Sequence, residues 1–264
     1  MTEKGSRLTN SYLGNLFNFL GNPTRFMRFA ERLIPVLFCS GIILTAYGIY
    51  RGIFIAPEDY QQGKSVWIMY IHVPSAWLAM MGYTMMSICA LGTLVWRHPL
   101  AESAATAAAP IGAAFTFLAL ITGALWGKPT WGTYWVWDAR LTSVLILLIM
   151  YLGLMSLRNA QDRTHQSARL AAILTLVGFI NIPIIKFSVD WWNTLHQPAS
   201  VLRKDGPSID PSMLWPLAFS ALGLTLLFLA LHLYGTQTDI LRRRKASLQA
   251  KLIRAEAAAL RDNK

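Results

Sequence analysis

The sequence predicts an all-α integral membrane protein: six transmembrane helices with a tryptophan-rich segment on the outer surface. Three observations carry this. The chain is 54% hydrophobic and only 14% charged, where a soluble domain carries about a quarter charged residues. Its apolar residues fall into six long runs, most of them long enough to cross a bilayer. Its basic residues collect at the ends of those runs. The formal net charge of +11 therefore reads as topology determinants facing anionic membrane lipid rather than as a nucleic-acid footprint.

In chain order, residues 1–32 form a polar, basic N-terminal segment with Lys4, Arg7, Arg25, Arg28 and Arg32. Span one runs from about Leu33 to Tyr50, and a polar loop, 51–66, carries Glu58, Asp59 and Lys64. Span two, Trp67 to about Trp96, is long enough to tilt or to start outside the hydrocarbon. Span three covers about Ala104–Leu125. Gly127, Pro129 and Gly132 then interrupt the pattern, so 126–142 is expected to be a loop or short surface helix. Span four is about Ser143–Leu157, span five about Leu170–Phe187 and span six about Met213–Tyr234, with a polar loop at 188–212. Residues 33–234 thus form the membrane domain and 235–264 a basic, helix-prone tail with Arg242, Arg243, Arg244 and Lys245 in a row.

Six spans place both termini on one side. That side holds seventeen Lys and Arg residues and the other seven, so the positive-inside rule puts the termini in the cytoplasm. The loops 51–66, 126–142 and 188–212 then share the outer face. No cleavable signal peptide is expected, because the first apolar run begins only near Leu33 and no small-residue cleavage site follows it. Cys39 and Cys89 stand singly within apolar runs, which excludes a C-x-x-C redox pair and a C-x-x-C-H haem-attachment motif. No G-x-x-x-x-G-K-[ST] sequence is present for nucleotide binding.

The chemistry concentrates between Trp126 and Thr142, where the chain reads WGKPTWGTYWVWDARLT. Trp126, Trp131, Trp135 and Trp137 lie within twelve residues, spaced by Gly127, Pro129 and Gly132 and followed by Asp138 and Arg140. Indoles on a kinked backbone make a broad apolar face suited to a planar ligand. A membrane-interface aromatic belt is the competing reading, but a belt decorates both interfaces. Here eight tryptophans are outer and only Trp96 is clearly inner. Of the five histidines, His98, His165 and His232 fall toward the cytoplasm. His72 and His196 are outer and bracket the tryptophan face, as axial ligation of one flat cofactor requires. Asp138 and Arg140 fit either a surface ion pair or a division of labour. In the second case Asp138 orders the loop and Arg140 meets a ligand carboxylate. Lys128, Arg203 and Lys204 are weaker candidates for that anion.

The run W-G-x-P-x-W-G-x-x-W-x-W-D-x-R-L-T resembles the tryptophan-rich (WWD) signature of the haem-handling proteins of cytochrome c biogenesis. Together with Tyr70-Ile-His-Val-Pro74 and Trp191-Trp-Asn-Thr-Leu-His196, it is similar to the cytochrome c maturation protein C family, also called haem exporter protein C. The likeness covers about Ile34 to Tyr234. It implies a bacterial inner-membrane protein that binds haem b non-covalently and transiently, with a tryptophan-rich periplasmic surface. His72 and His196 would be the axial ligands, and Trp126, Trp131, Trp135, Trp137 and Asp138 the porphyrin cradle. The implied partners are a periplasmic haem chaperone (maturation protein E), the small membrane protein D, and ABC-type subunits A and B. The implied role is non-enzymatic delivery of haem. An electron-transfer cytochrome b subunit and a permease for an amphipathic solute are the alternatives.

Overall fold

The computed structural model describes residues 22–160, 165–197, 200, 201, 203 and 205–262. Lys4, Arg7 and Lys204 lie outside the described residues. The described residues form α1 (Pro23–Phe54), a 3-10 turn (Lys64–Ile68), α2 (Met69–Trp96), α3 (Pro99–Trp131), α4 (Ala139–Ala160), α5 (His165–Gly178), α6 (Asn181–Trp191) and α7 (Pro211–Asp262). Six helical segments are long and apolar enough to cross a membrane, α5 and α6 together making one of them. The all-α, six-span architecture is as expected.

Several helix ends have a local reason. Asn22 caps α1, its side-chain oxygen accepting from the Thr24 and Arg25 amides, and Pro23 occupies the first turn, where its missing N–H costs nothing. The helix therefore starts ten residues before the expected span, within the stretch assigned to the N-terminal segment. His98 precedes α3, again with proline at the start. Arg97, at φ 49°, makes the sharp reversal between α2 and α3.

Close packing follows small residues. α1 lies along α7 with Gly41 and Gly48 facing Gly223 and Ser220; a Cβ at Gly48 would sit 2.8 Å from the Pro216 carbonyl. Such backbone approach is how helices associate where lipid removes the hydrophobic driving force. At the centre, Tyr151 of α4 lies in a notch formed by Gly82 of α2 and Gly112 of α3. Its hydroxyl donates to the Ala79 carbonyl at 2.8 Å, which satisfies the only polar atom of a fully buried ring. Leu78, Met86, Leu147 and Phe228 close the core around it.

Three expected boundaries are corrected. First, the Trp126–Trp131 stretch is not a loop: it forms the last turns of α3. Pro129 sits there exposed near the C-terminus, where one lost hydrogen bond is easily borne. The helix ends only at Gly132, which takes φ 78° and donates its N–H to the Lys128 carbonyl. Second, span five is broken at Phe179–Ile180. Pro183 has no N–H to offer the Phe179 carbonyl, which accepts from Ile182 instead at 3.0 Å. Buried Asn181 ties the break to α4 by donating to the Ser143 carbonyl at 2.9 Å. Third, no helix end marks Gly235, where the helix-prone tail is expected to start; the tail continues the helix. α7 runs uninterrupted for 52 residues, about 78 Å at the usual helical rise.

Candidate functional site

The start of α2 and the end of α3 place the first histidine. His72 lies in the first turns of α2, where its Nδ1 is 3.1 Å from the Ala119 carbonyl oxygen and 3.1 Å from Thr122 Oγ1. The Thr122 hydroxyl already donates to Leu118, and a carbonyl can only accept. Nδ1 therefore carries the proton, and Nε2 keeps its lone pair. Gly123 makes the approach possible, since a Cβ there would come within 2.9 Å of His72 Cε1.

The second histidine is held from the loop after α6. His196 Nδ1 is 3.4 Å from Asp138 Oδ2, while Asp138 Oδ1 accepts the Leu141 amide at 2.7 Å and so caps α4. One carboxylate both starts a helix and faces an imidazole. Asp138 has only 6% of its side chain exposed. Burial lowers the His196 pKa below its ordinary value, and the Asp138 carboxylate opposes that in part. A neutral imidazole with Nδ1–H turned to the carboxylate again leaves the lone pair on Nε2.

The tryptophans frame these two rings. Trp126 meets His72 edge-on, with centroids 5.6 Å apart, and its Nε1 donates to Gln62 Oε1 at 2.8 Å. Trp131 packs against His196 at 4.9 Å. Gly127 lets the Trp131 ring fold back, because a Cβ at that position would meet Trp131 Cε3 at 2.9 Å. Trp135 stands edge-on to Trp137 at 5.4 Å, and its buried Nε1 has no partner among the described residues.

Arg140 turns its hydrogen bonds away from Asp138. Its Nε donates to Ser188 Oγ at 3.0 Å, and its Nη2 lies 3.4 Å from both the Ile185 and Lys186 carbonyls of α6. Ser188 is fully buried. The observed bonds leave Asp138 ordering the start of α4 and Arg140 tied to α6.

A cavity of about 310 Å³ joins these groups, walled by His72, His196, Trp126, Gly127, Trp131, Trp135 and Arg140. Pro129, Gly132, Trp137 and Asp138 are not in its wall. Pro129 and Gly132 shape the end of α3, Asp138 stands behind His196, and Trp137 is 75% exposed. Lys128 is engaged elsewhere, bonded to the Gly132 carbonyl and lying over the Tyr134 ring. Sequence reasoning missed Gln62, Ala119, Thr122, Gly123 and Ser188, which hold the site residues in place. The Thr122-Gly123 pair one turn before Trp126 was the one visible signal.

The model of the family described as "Heme exporter protein C" matches residues 16–251. The chain belongs to the haem exporter protein C family. The chain is 64% identical to "Heme exporter protein C" of Bradyrhizobium diazoefficiens over 230 residues, covering 87% of each chain. It is 46% identical to "Heme exporter protein C" of Escherichia coli K12 over 226 residues, covering 86% of this chain and 91% of the relative. It is 43% identical to that of Paracoccus denitrificans over 235 residues, covering 89% and 97%. The matched region takes in the first five membrane-length helical segments of this haem exporter protein C family member, most of the sixth, and the whole cavity wall.

Proposed function

We propose that this protein holds haem at the periplasmic face of the bacterial inner membrane and hands it to a periplasmic haem chaperone for c-type cytochrome biogenesis. One observation carries the reading. Two histidines from distant parts of the chain border one cavity, each with Nδ1 committed to an acceptor and Nε2 left as a free lone pair. Among the described residues no cluster of three or more metal-binding side chains exists. Two imidazoles suit an iron whose other four positions a macrocycle already fills.

The chain's own groups divide the work. His72 and His196 are the axial ligands, both neutral. Trp126, Trp131 and Trp135 bury the apolar macrocycle and exclude water. Arg140, held by Ser188 and two α6 carbonyls, presents its charge to a propionate. The unsatisfied Trp135 N–H is a second donor for that carboxylate edge. Nothing in the sequence offers a C-x-x-C-H thioether site, so the haem is held as non-covalent haem b cargo. That suits a carrier whose role is transfer rather than catalysis. The chaperone, maturation protein E, approaches over exposed Trp137, with protein D and the ABC-type subunits A and B as further members of the assembly.

Visible absorption of the detergent-purified protein beside His72→Ala and His196→Ala tests the reading. A six-coordinate haem spectrum, lost or altered in both variants, is the expected result. Equal haem binding by both variants would overturn the ligand pair.

A further inference from the structure

A second charged feature lies at the opposite end of the bundle. Arg25, Arg28 and Arg32, with Phe29 and Leu33, line a groove of about 710 Å³ at the start of α1. The uncharged part of α1 runs from Leu33 to Tyr50, between Arg32 and Arg51. Eighteen residues of helix rise about 27 Å, close to the ~30 Å hydrocarbon thickness of a bilayer. Arg32 therefore stands at the hydrocarbon boundary, and Arg28 and Arg25 lie one and two turns into the headgroup layer.

At 100° per residue, Arg25, Arg28 and Arg32 share one face of α1, and Val36 and Ile43 continue nearly the same line into the hydrocarbon. Val36 and Ile43 are 62% and 66% exposed, so no other part of the described chain covers this strip. Arg28 and Arg32 are exposed as well. Glu31 sits beside this face, yet no ion pair joins it to an arginine among the described residues. Arg244 of α7 adds a fourth cation at the same end, reaching Thr24 Oγ1 at 3.3 Å.

We infer that this groove is a binding site for an anionic phospholipid of the leaflet on the side of the chain termini. Arg28 and Arg32 take the phosphodiester as bidentate donors, Arg25 and Arg244 add field, and the acyl chains lie along Phe29, Val36 and Ile43. A phosphate over an apolar strip is the chemistry of a diacyl lipid, whereas a soluble anion has no use for the strip. The site anchors α1, and through its close packing on α7 it fixes the helix pair against the bilayer.

The test is native mass spectrometry of the full-length protein incubated with equal amounts of phosphatidylglycerol and phosphatidylcholine. The wild type should retain phosphatidylglycerol well above its share. Arg28→Gln/Arg32→Gln should bring retention to parity, with about a fivefold loss per arginine. Arg28→Lys/Arg32→Lys should keep part of the preference. Lys251→Gln/Arg254→Gln, which removes the same charge from the tail, should keep all of it. Equal preference in the wild type and Arg28→Gln/Arg32→Gln would overturn the site. Full displacement of phosphatidylglycerol by millimolar inorganic phosphate would overturn the role of the apolar strip.

Discussion

Asp138 and His196 are separated by 58 positions in sequence and 3.4 Å in space. The same carboxylate caps α4 through the Leu141 amide, so the orientation of the imidazole is tied to the start of a membrane-crossing helix. Asp138→Asn keeps a capping oxygen but removes the charge behind the imidazole. Haem affinity should fall about tenfold or more, the usual cost of losing a carboxylate behind a ligating histidine. Thermal stability should change little. Haem titration and a melting curve on the same sample check both halves.

His196 should set the acid limit of haem binding. Ligation needs the neutral ring, and burial lowers this pKa below its ordinary value, which is about 6.5. Haem should therefore be retained through neutral pH and released only on acidification below the ordinary histidine range. Asp138 favours the protonated ring, so Asp138→Asn should move the release midpoint to lower pH, even as it weakens binding overall. A spectroscopic pH titration of both proteins gives the two midpoints. A midpoint moved upward in the variant would contradict this electrostatic account.

Gly123→Ala should displace His72. The added Cβ would fall 2.9 Å from His72 Cε1, whereas the ring's other contacts, Ala119 and Thr122, lie on the same helix and hold it there. The expectation is a helix at least as well formed, since alanine is the better helix former, together with a clear loss of six-coordinate haem. Circular dichroism and the visible spectrum separate the two effects.

Trp135→Phe removes a donor that the described protein leaves unsatisfied. The ligand-free protein should be equally or more stable, because a buried unpaired N–H is costly. Haem binding should weaken several-fold if that N–H meets a propionate. Comparing melting temperatures with and without haem gives both numbers in one experiment.

Arg243 should prove structural. It makes a bidentate contact to Glu102 at 2.9 and 2.7 Å and a third bond to Asp239 at 2.6 Å, and Asp239 is only 4% exposed. Arg243→Ala leaves a buried carboxylate without this guanidinium. For a cation whose side chain is 30% exposed, solvent screening keeps the cost to about 1–3 kcal/mol. Arg243→Lys should recover only part, since an ammonium cannot match the two carboxylate oxygens at once. Haem affinity should be unaffected in both, as the clamp lies at the far end of α3.

The sequence by itself determined six membrane-crossing runs, the grouping of His72 and His196 at one end of the bundle, and the tryptophan-rich stretch between them. It could do so because hydropathy over twenty residues and the scarcity of histidine are properties of the chain, independent of how it packs. What it misjudged was decided locally by neighbours in space. Glycine and proline at 127–132 looked like a break, but Pro129 lies exposed near the helix end and Gly127 is needed under the Trp131 ring, so α3 runs to Trp131. Span five looked continuous, but Pro183 with the Asn181–Ser143 bond splits it.

Only the tertiary structure decided which nitrogen of each histidine is free. That choice depends on acceptors 47 and 58 positions away, and no local pattern encodes so distant a partner. The same holds for Arg140, whose neighbour in sequence is Asp138 but whose hydrogen bonds go to Ser188 and the α6 carbonyls. Hydropathy places helices in the membrane; the rotation and register of helix on helix, set by Gly82, Gly112 and Gly123, place the atoms of the site.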